Sequence, residues 1–144
     1  MDKKDIATAC FKSGFNCAQS VISTFSQEYA MEQEQAFRVA AAFGGGMGRR
    51  GATCGAVTGA YMAIGLKYGA IVAEDKAARE KTYALVNQFA EEFQARNGAL
   101  LCNDLLGVDV STSDGREFAR KEGRFDILCP KFVGDAAEIL EEIL

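Results

Sequence analysis

Five cysteines, Cys10, Cys17, Cys54, Cys102 and Cys129, are the residues of this 144-residue chain best suited to chemistry. The chain has no histidine, so neither a Ser–His–Asp nor a Cys–His site can form within it. A thiol here must be activated by other means. A helix N-terminus presents unpaired N–H groups and about half a positive charge. Together with nearby cations it can lower a cysteine pKa from ~8.5 into the range ~3.5–7.5, giving the thiolate that reacts and ligates metals. In "GFNCAQSV", Asn16 is a good N-cap with Gln19 three residues on, a capping-box variant that makes Cys17 the first helical residue. In "GRRGATCGAV", Thr53 is the expected cap and Cys54 the first helical residue, with Arg49 and Arg50 as added positive charge. In "DILCPKF", Pro130 favours the first helical position, so Cys129 is expected as the cap itself. Cys102 carries no cap signal, and Cys10, mid-helix beside Phe11, reads as a merely buried thiol.

Cys17, Cys54, Cys102 and Cys129 are separated by intervals of 37, 48 and 27 residues. Zinc knuckles and the common ferredoxin loops gather ligands two or four residues apart, and no pair here has that form. The thioredoxin-type C-x-x-C is also absent. Spacing alone leaves three readings open: thiols packed inertly in a core, a redox pair, or metal ligands drawn from four separate segments. As a thiol redox site, Cys54 would attack and Cys17 or Cys129 would resolve.

The elements that must position these residues read as helices. Ala18, Val21, Ile22, Phe25 and Tyr29 form one apolar stripe; Ala36, Val39, Ala40 and Phe43 form another, ended by Gly44–Gly46. "EDKAAREKTYALVNQFAEEFQARNG" is a long amphipathic helix with Gly98 as its C-terminal cap, "STSDGREFARKEG" a short helix, and "PKFVGDAAEILEEIL" a final one. That last helix carries Val133, Ala136, Ala137, Leu140 and Leu144 on one stripe, and its terminal acids predict a frayed last turn. No segment alternates apolar and polar residues. The prediction is all-α: a single compact domain, residues 1–144, of about six or seven helices around a Gly/Ala-rich central helix. On that helix Gly55, Gly59 and Ala63 form a smooth ridge. Glycine costs about 1 kcal/mol relative to alanine inside a helix, so the ridge implies close approach by another helix or by a bound group, which makes Gly55 and Gly59 candidate cofactor contacts.

A formal net charge of −4 and a pI of about 4.9 argue against nucleic acid or an anionic membrane as the main partner. The run Gly51–Leu66 falls short of the ~20 apolar residues of a membrane span. The N-terminus lacks the apolar run of a signal peptide, which leads us to expect a cytoplasmic protein with free thiols rather than structural disulfides. "GMGRRG" at Gly46–Gly51 matches G-x-G-x-x-G, but no strand precedes it, so no nucleotide is expected; an anion contact by Arg49, Arg50 and the Gly-rich amides stays open. The acids of "NDLLGVDVSTSDG" do not have EF-hand spacing, and Glu91–Glu92 and Glu141–Glu142 read as solvated.

"CGAVTG" at Cys54–Gly59, with one separate cysteine before it and two after, resembles the small bacterial and archaeal family of redox-active proteins named for the pattern C_GCAxxG_C_C. The contexts "NCAQSV" and "LCPKFV" extend the resemblance over nearly the whole chain. It implies that Cys17, Cys54, Cys102 and Cys129 are the family's cysteines and Gly55, Ala56 and Gly59 the small residues of its motif; Cys10 falls outside. A similar domain in split-Soret cytochromes implies an iron–sulfur centre. Those proteins also bind haem, but this chain has neither C-x-x-C-H nor an axial histidine, so no haem is expected. The resulting expectation is a four-cysteine redox site holding an iron–sulfur cluster or Zn²⁺. The alternatives are a metal-free thiol–disulfide oxidoreductase and a non-catalytic helical module. The redox partner protein is not specified, and a homodimer is compatible with the sequence.

Overall fold

The computed structural model describes residues 1–144. The chain is helical from end to end: α1 (Lys3–Lys12), α2 (Cys17–Ser26), α3 (Gln33–Ala40), α4 (Gly55–Tyr68), α5 (Lys76–Asn97), α6 (Cys102–Leu106), α7 (Ser113–Lys121) and α8 (Arg124–Ile143). The all-α expectation holds, with eight helices rather than six or seven because the short α6 forms a helix of its own. Between α3 and α4 the chain makes a tight turn of the opposite hand: Gly45, Gly46, Met47, Gly48 and Arg49 all have φ between 63 and 71°. No helix is long and apolar enough to cross a membrane.

Local signals start and stop most helices. Asp2, Asp75 and Thr112 accept from the backbone N–H groups of Asp5, Ala78 and Gly115, and Asn16 and Gln19 close a reciprocal box at the head of α2. Gly98 ends α5 with a left-handed residue, as its sequence predicts. The end of α8, expected to fray, is held instead by the Lys67 ammonium donating to the Leu144 carbonyl, a cation at the negative pole of a helix.

Helix α4 is the centre of the fold. Its residues Ala56, Val57, Ala60, Ala63 and Ile64 are all fully buried, as expected of a helix that is apolar on every side. It packs against α2, α5 and α8, while α1 packs against α8. The ridge of small residues faces α2: a Cβ on Gly59 would stand 2.7 Å from the Ala18 carbonyl oxygen, and one on Gly55 would stand 2.8 Å from the Ala18 nitrogen. Of the two occupants the ridge allowed, a neighbouring helix is the one found along Gly59. On the far side, Tyr61, Phe89, Phe93 and Phe132 form a continuous aromatic row with ring centroids 5.8–6.2 Å apart. The apolar stripes are buried except at four residues: Val39 is 50% exposed, because α3 meets the body only through its Ala36 face, and Tyr29, Phe43 and Leu144 are half-buried.

Arg96 of α5 reaches Asp135 at 3.5 Å and Glu138 at 2.9 Å on α8, and Lys131 holds the other Asp135 oxygen at 2.7 Å. Asp135 is 8% exposed, so this carboxylate is balanced by two cations where an unpaired charge would be costly.

The α2–α4 approach leaves no room for a methyl group. Gly59→Ala is therefore expected to lower the unfolding free energy by about 1–3 kcal/mol through overpacking, although alanine is the better helix former by about 1 kcal/mol. Urea denaturation of the two proteins checks this.

Candidate thiol site

Four separate devices carry cysteines to one place. The Asn16–Gln19 box fixes Cys17 as the first residue of α2, with Gln19 N–H donating to Asn16 Oδ1 at 2.8 Å and Asn16 N–H donating to Gln19 Oε1 at 3.0 Å. The Asn16 amide also donates to the Ala41 carbonyl, tying this helix start to the turn before α4. Cys54 and Cys102 are set by a feature the sequence did not suggest: a short antiparallel bridge between Thr53 and Leu101. Its hydrogen bonds run from Cys54 N–H to the Leu100 carbonyl at 2.8 Å and from Cys102 N–H to the Ala52 carbonyl at 2.6 Å. The bridge places the starts of α4 and α6 side by side, with Cys54 as the N-cap of α4 and Cys102 as the first residue of α6. The expected cap, Thr53, is one residue too early because it is held in that bridge.

Cys129 departs further from expectation. It is not a cap; it lies inside α8, which begins at Arg124 after the left-handed Gly123. The early start has a visible anchor: the Arg124 guanidinium donates to the Leu106 carbonyl at 2.7 Å and the Gly107 carbonyl at 3.2 Å. Pro130 is accommodated within the helix because Asp126, whose carbonyl loses its helical donor, is exposed to water.

Cys17, Cys54, Cys102 and Cys129 all line one cavity of about 100 Å³. Its other walls are mostly apolar: Phe11, Leu105, Leu106, Phe125 and Phe132, closed by the backbone of Gly45, Gly46 and Gly55. Cys54, Cys102 and Cys129 are buried and Cys17 is half-buried. All five cysteines are free. Cys10 is outside the cavity on α1, half-buried rather than buried, with its Sγ 3.8 Å from Ser23 Oγ. Of the other candidate residues, Gly55 lines the cavity and Gly59 lies farther along α4 against Ala18. Arg49 and Arg50 are exposed and line a different, polar depression with Ser111 and Arg116. The phenylalanine walls have no signal in the sequence. Only the run "GGGMG" hinted at backbone that must turn left-handed.

The thiols differ sharply in acidity. Hydrogen bonding to Cys129 and Cys54, followed by burial, pushes Cys17 well above the ordinary thiol range. Burial and the charges of Cys54 and Cys129 push Cys102 up to about 12. Cys54 is instead lowered, chiefly by the Cys17 thiol and, against the effect of burial, by the N–H groups of Ala56 and Val57 at the head of α4. The helix pole thus acts at Cys54 as expected, and Cys17 takes the place anticipated for the two arginines.

The fold and this cavity define an all-helical protein organised around four converging thiols. A family model described as "Putative redox-active protein (C_GCAxxG_C_C)" matches residues 15–143, and the chain belongs to that family. No curated protein and no solved structure matches the chain.

In metal-free protein, Cys54 should ionise before Cys17 and Cys102 as pH rises, and those two should stay protonated through neutrality. Cysteine Cβ chemical shifts followed over a pH titration report this order; Cys102 ionising before Cys54 would contradict it.

Proposed function

We propose that this chain is an electron-transfer or redox protein whose Cys17, Cys54, Cys102 and Cys129 hold an iron–sulfur cluster. The observation that carries the reading is the convergence of four thiols, from four separate segments, on one small cavity with otherwise apolar walls. No three His, Cys, Asp or Glu side chains are placed to hold a single metal ion. When bound, such a cluster supplies one-electron oxidation and reduction.

The protein's own contribution is legible in the residues. The Ala56 and Val57 amides donate toward the Cys54 sulfur and favour its anionic form. Hydrogen bonds of this kind to ligand sulfur also tune reduction potential. Cys17 and Cys102 resist ionisation, so loading requires a cation to replace their protons and becomes more favourable as pH rises. Phe11, Phe125 and Phe132 set apolar walls beside the sulfurs.

A second reading has its own support. Cys54 is the acidic thiol and Cys17, in contact with it, the reluctant one, which suits attack and resolution. The Cys54 thiolate would attack a substrate disulfide and expel one substrate thiolate. Cys17, giving up its proton, would then attack Cys54 Sγ and expel the second, so the substrate gains two electrons and the protein pair loses two.

One experiment separates these readings. Anaerobic reconstitution with ferrous iron and sulfide should give a visible absorption band bleached by dithionite, about one cluster per chain, and Cys54→Ser should reduce its yield by at least about tenfold, as loss of a ligand does. Protein that stays colourless, yet forms a Cys17–Cys54 disulfide when challenged with an oxidised dithiol, would establish the second reading. Ser variants that lose stability alone would return the cysteines to a purely structural role.

A further inference from the structure

Beside the thiol cavity lies a second, larger one of about 520 Å³, within the range of small-molecule sites. Arg49, Arg116 and Arg120 line it, and it continues through Gly48, Arg49 and Arg116 into the depression that adds Arg50 and Ser111. Four of the chain's eight arginines thus gather at one place on a protein of net charge −4. None of the four takes part in an ion pair. No carboxylate lines either part. Asp109, the nearest acid in sequence to Ser111, is already occupied by Asn103 Nδ2 and by the N–H and hydroxyl of Ser111.

The backbone adds a separate argument. Arg49 adopts φ 67°, a conformation that glycine holds freely and a side chain holds under strain. Its side chain lies over Gly45, where a Cβ would come within 2.9 Å of Arg49 Cγ. A charged residue kept at a strained position, between glycines and without a carboxylate partner, points to use of its guanidinium.

We propose that this cleft binds a small molecule bearing oxyanion groups, carboxylate or phosphate, gripped by Arg49, Arg116 and Arg120. Guanidinium forks match both groups bidentately. The cleft shares Asn16, Gly45 and Phe125 with the thiol cavity, so the ligand rests against the redox centre. That this ligand is the redox substrate depends on the function proposed above; the anion site stands on the arginines alone.

Isothermal titration calorimetry of the full chain with tripolyphosphate and with citrate tests it, and the two arms distinguish phosphate from carboxylate recognition. Saturable binding of at least one is expected, weakening with added salt. Arg120→Gln and Arg49→Gly should each weaken it by about tenfold or more, as loss of a charged hydrogen bond does. The Arg120 side chain takes part in no ion pair and Arg49→Gly relieves strain, so both should fold; Arg38→Gln, paired with Glu34 on α3 and outside the cleft lining, should bind unchanged. No saturable binding of either probe, or equal binding by Arg120→Gln and Arg49→Gly, overturns the site. Cys54→Ser should keep the anion affinity, so failure of the redox reading and failure of this one give different results.

Discussion

The closeness of α2 and α4 is the constraint on which the rest depends. Where Gly55 faces α2, an added Cβ would press on the Ala18 nitrogen and come within 3.1 Å of Cys17 Cβ. The missing side chain therefore lets two helix starts meet, and those starts carry Cys17 and Cys54. A larger residue would separate the helices and the two sulfurs with them. The spacing of the motif follows: cysteine at the cap, glycine directly after it and again one turn on, all on the side that α2 covers.

A second constraint is electrostatic. A cavity walled by phenylalanine and leucine is a poor solvent for anions, and four adjacent thiols discourage one another's ionisation. The fold answers at Cys54 with the Cys17 thiol first and the Ala56 and Val57 N–H groups after it, whereas Cys17 and Cys102 are pushed up. The result is a Cys54 more acidic than Cys17 and Cys102. That asymmetry suits the dithiol pair of the second proposed reading, and under the first it makes a four-thiolate state conditional on a bound cation.

Much of the scaffold was legible because its signals are local. The Asn16–Gln19 box, the Gly98 cap and the stripe through Val21, Ile22 and Phe25 each involve residues within a turn or two of one another. What stayed hidden was set by distant partners. The helix containing Cys129 begins six residues before the proline that was expected to open it, because Arg124 is anchored to carbonyls at the end of α6. Cys102 begins a helix without any cap residue because the Thr53–Leu101 bridge starts it. Cysteine order identified the four residues that converge, but neither spacing nor propensity encoded the bridge that sets two of them side by side. Val39 shows the limit of periodicity: its position on the stripe was right, and its helix presents only the alanine side to the core.

The left-handed turn joins these observations. Each non-glycine residue in that conformation costs about 1–2 kcal/mol, and Met47 and Arg49 both adopt it. The strain is held by hydrogen bonds from Arg49, Gly51 and Ala52 N–H to the carbonyls of Gly44, Gly45 and Gly46. Ala52 in turn accepts from Cys102 N–H, and a Cβ on Gly46 would stand 2.6 Å from Cys102 Cβ. The turn is thus the wall between the two cavities: its glycines back directly onto a cysteine, while Arg49 faces the cleft. A relaxed loop of ordinary residues would need a wider path, and the bulk of its side chains would fall where Cys102 now sits. The strained geometry is what keeps a charged cleft and an apolar thiol cavity within one backbone thickness of each other.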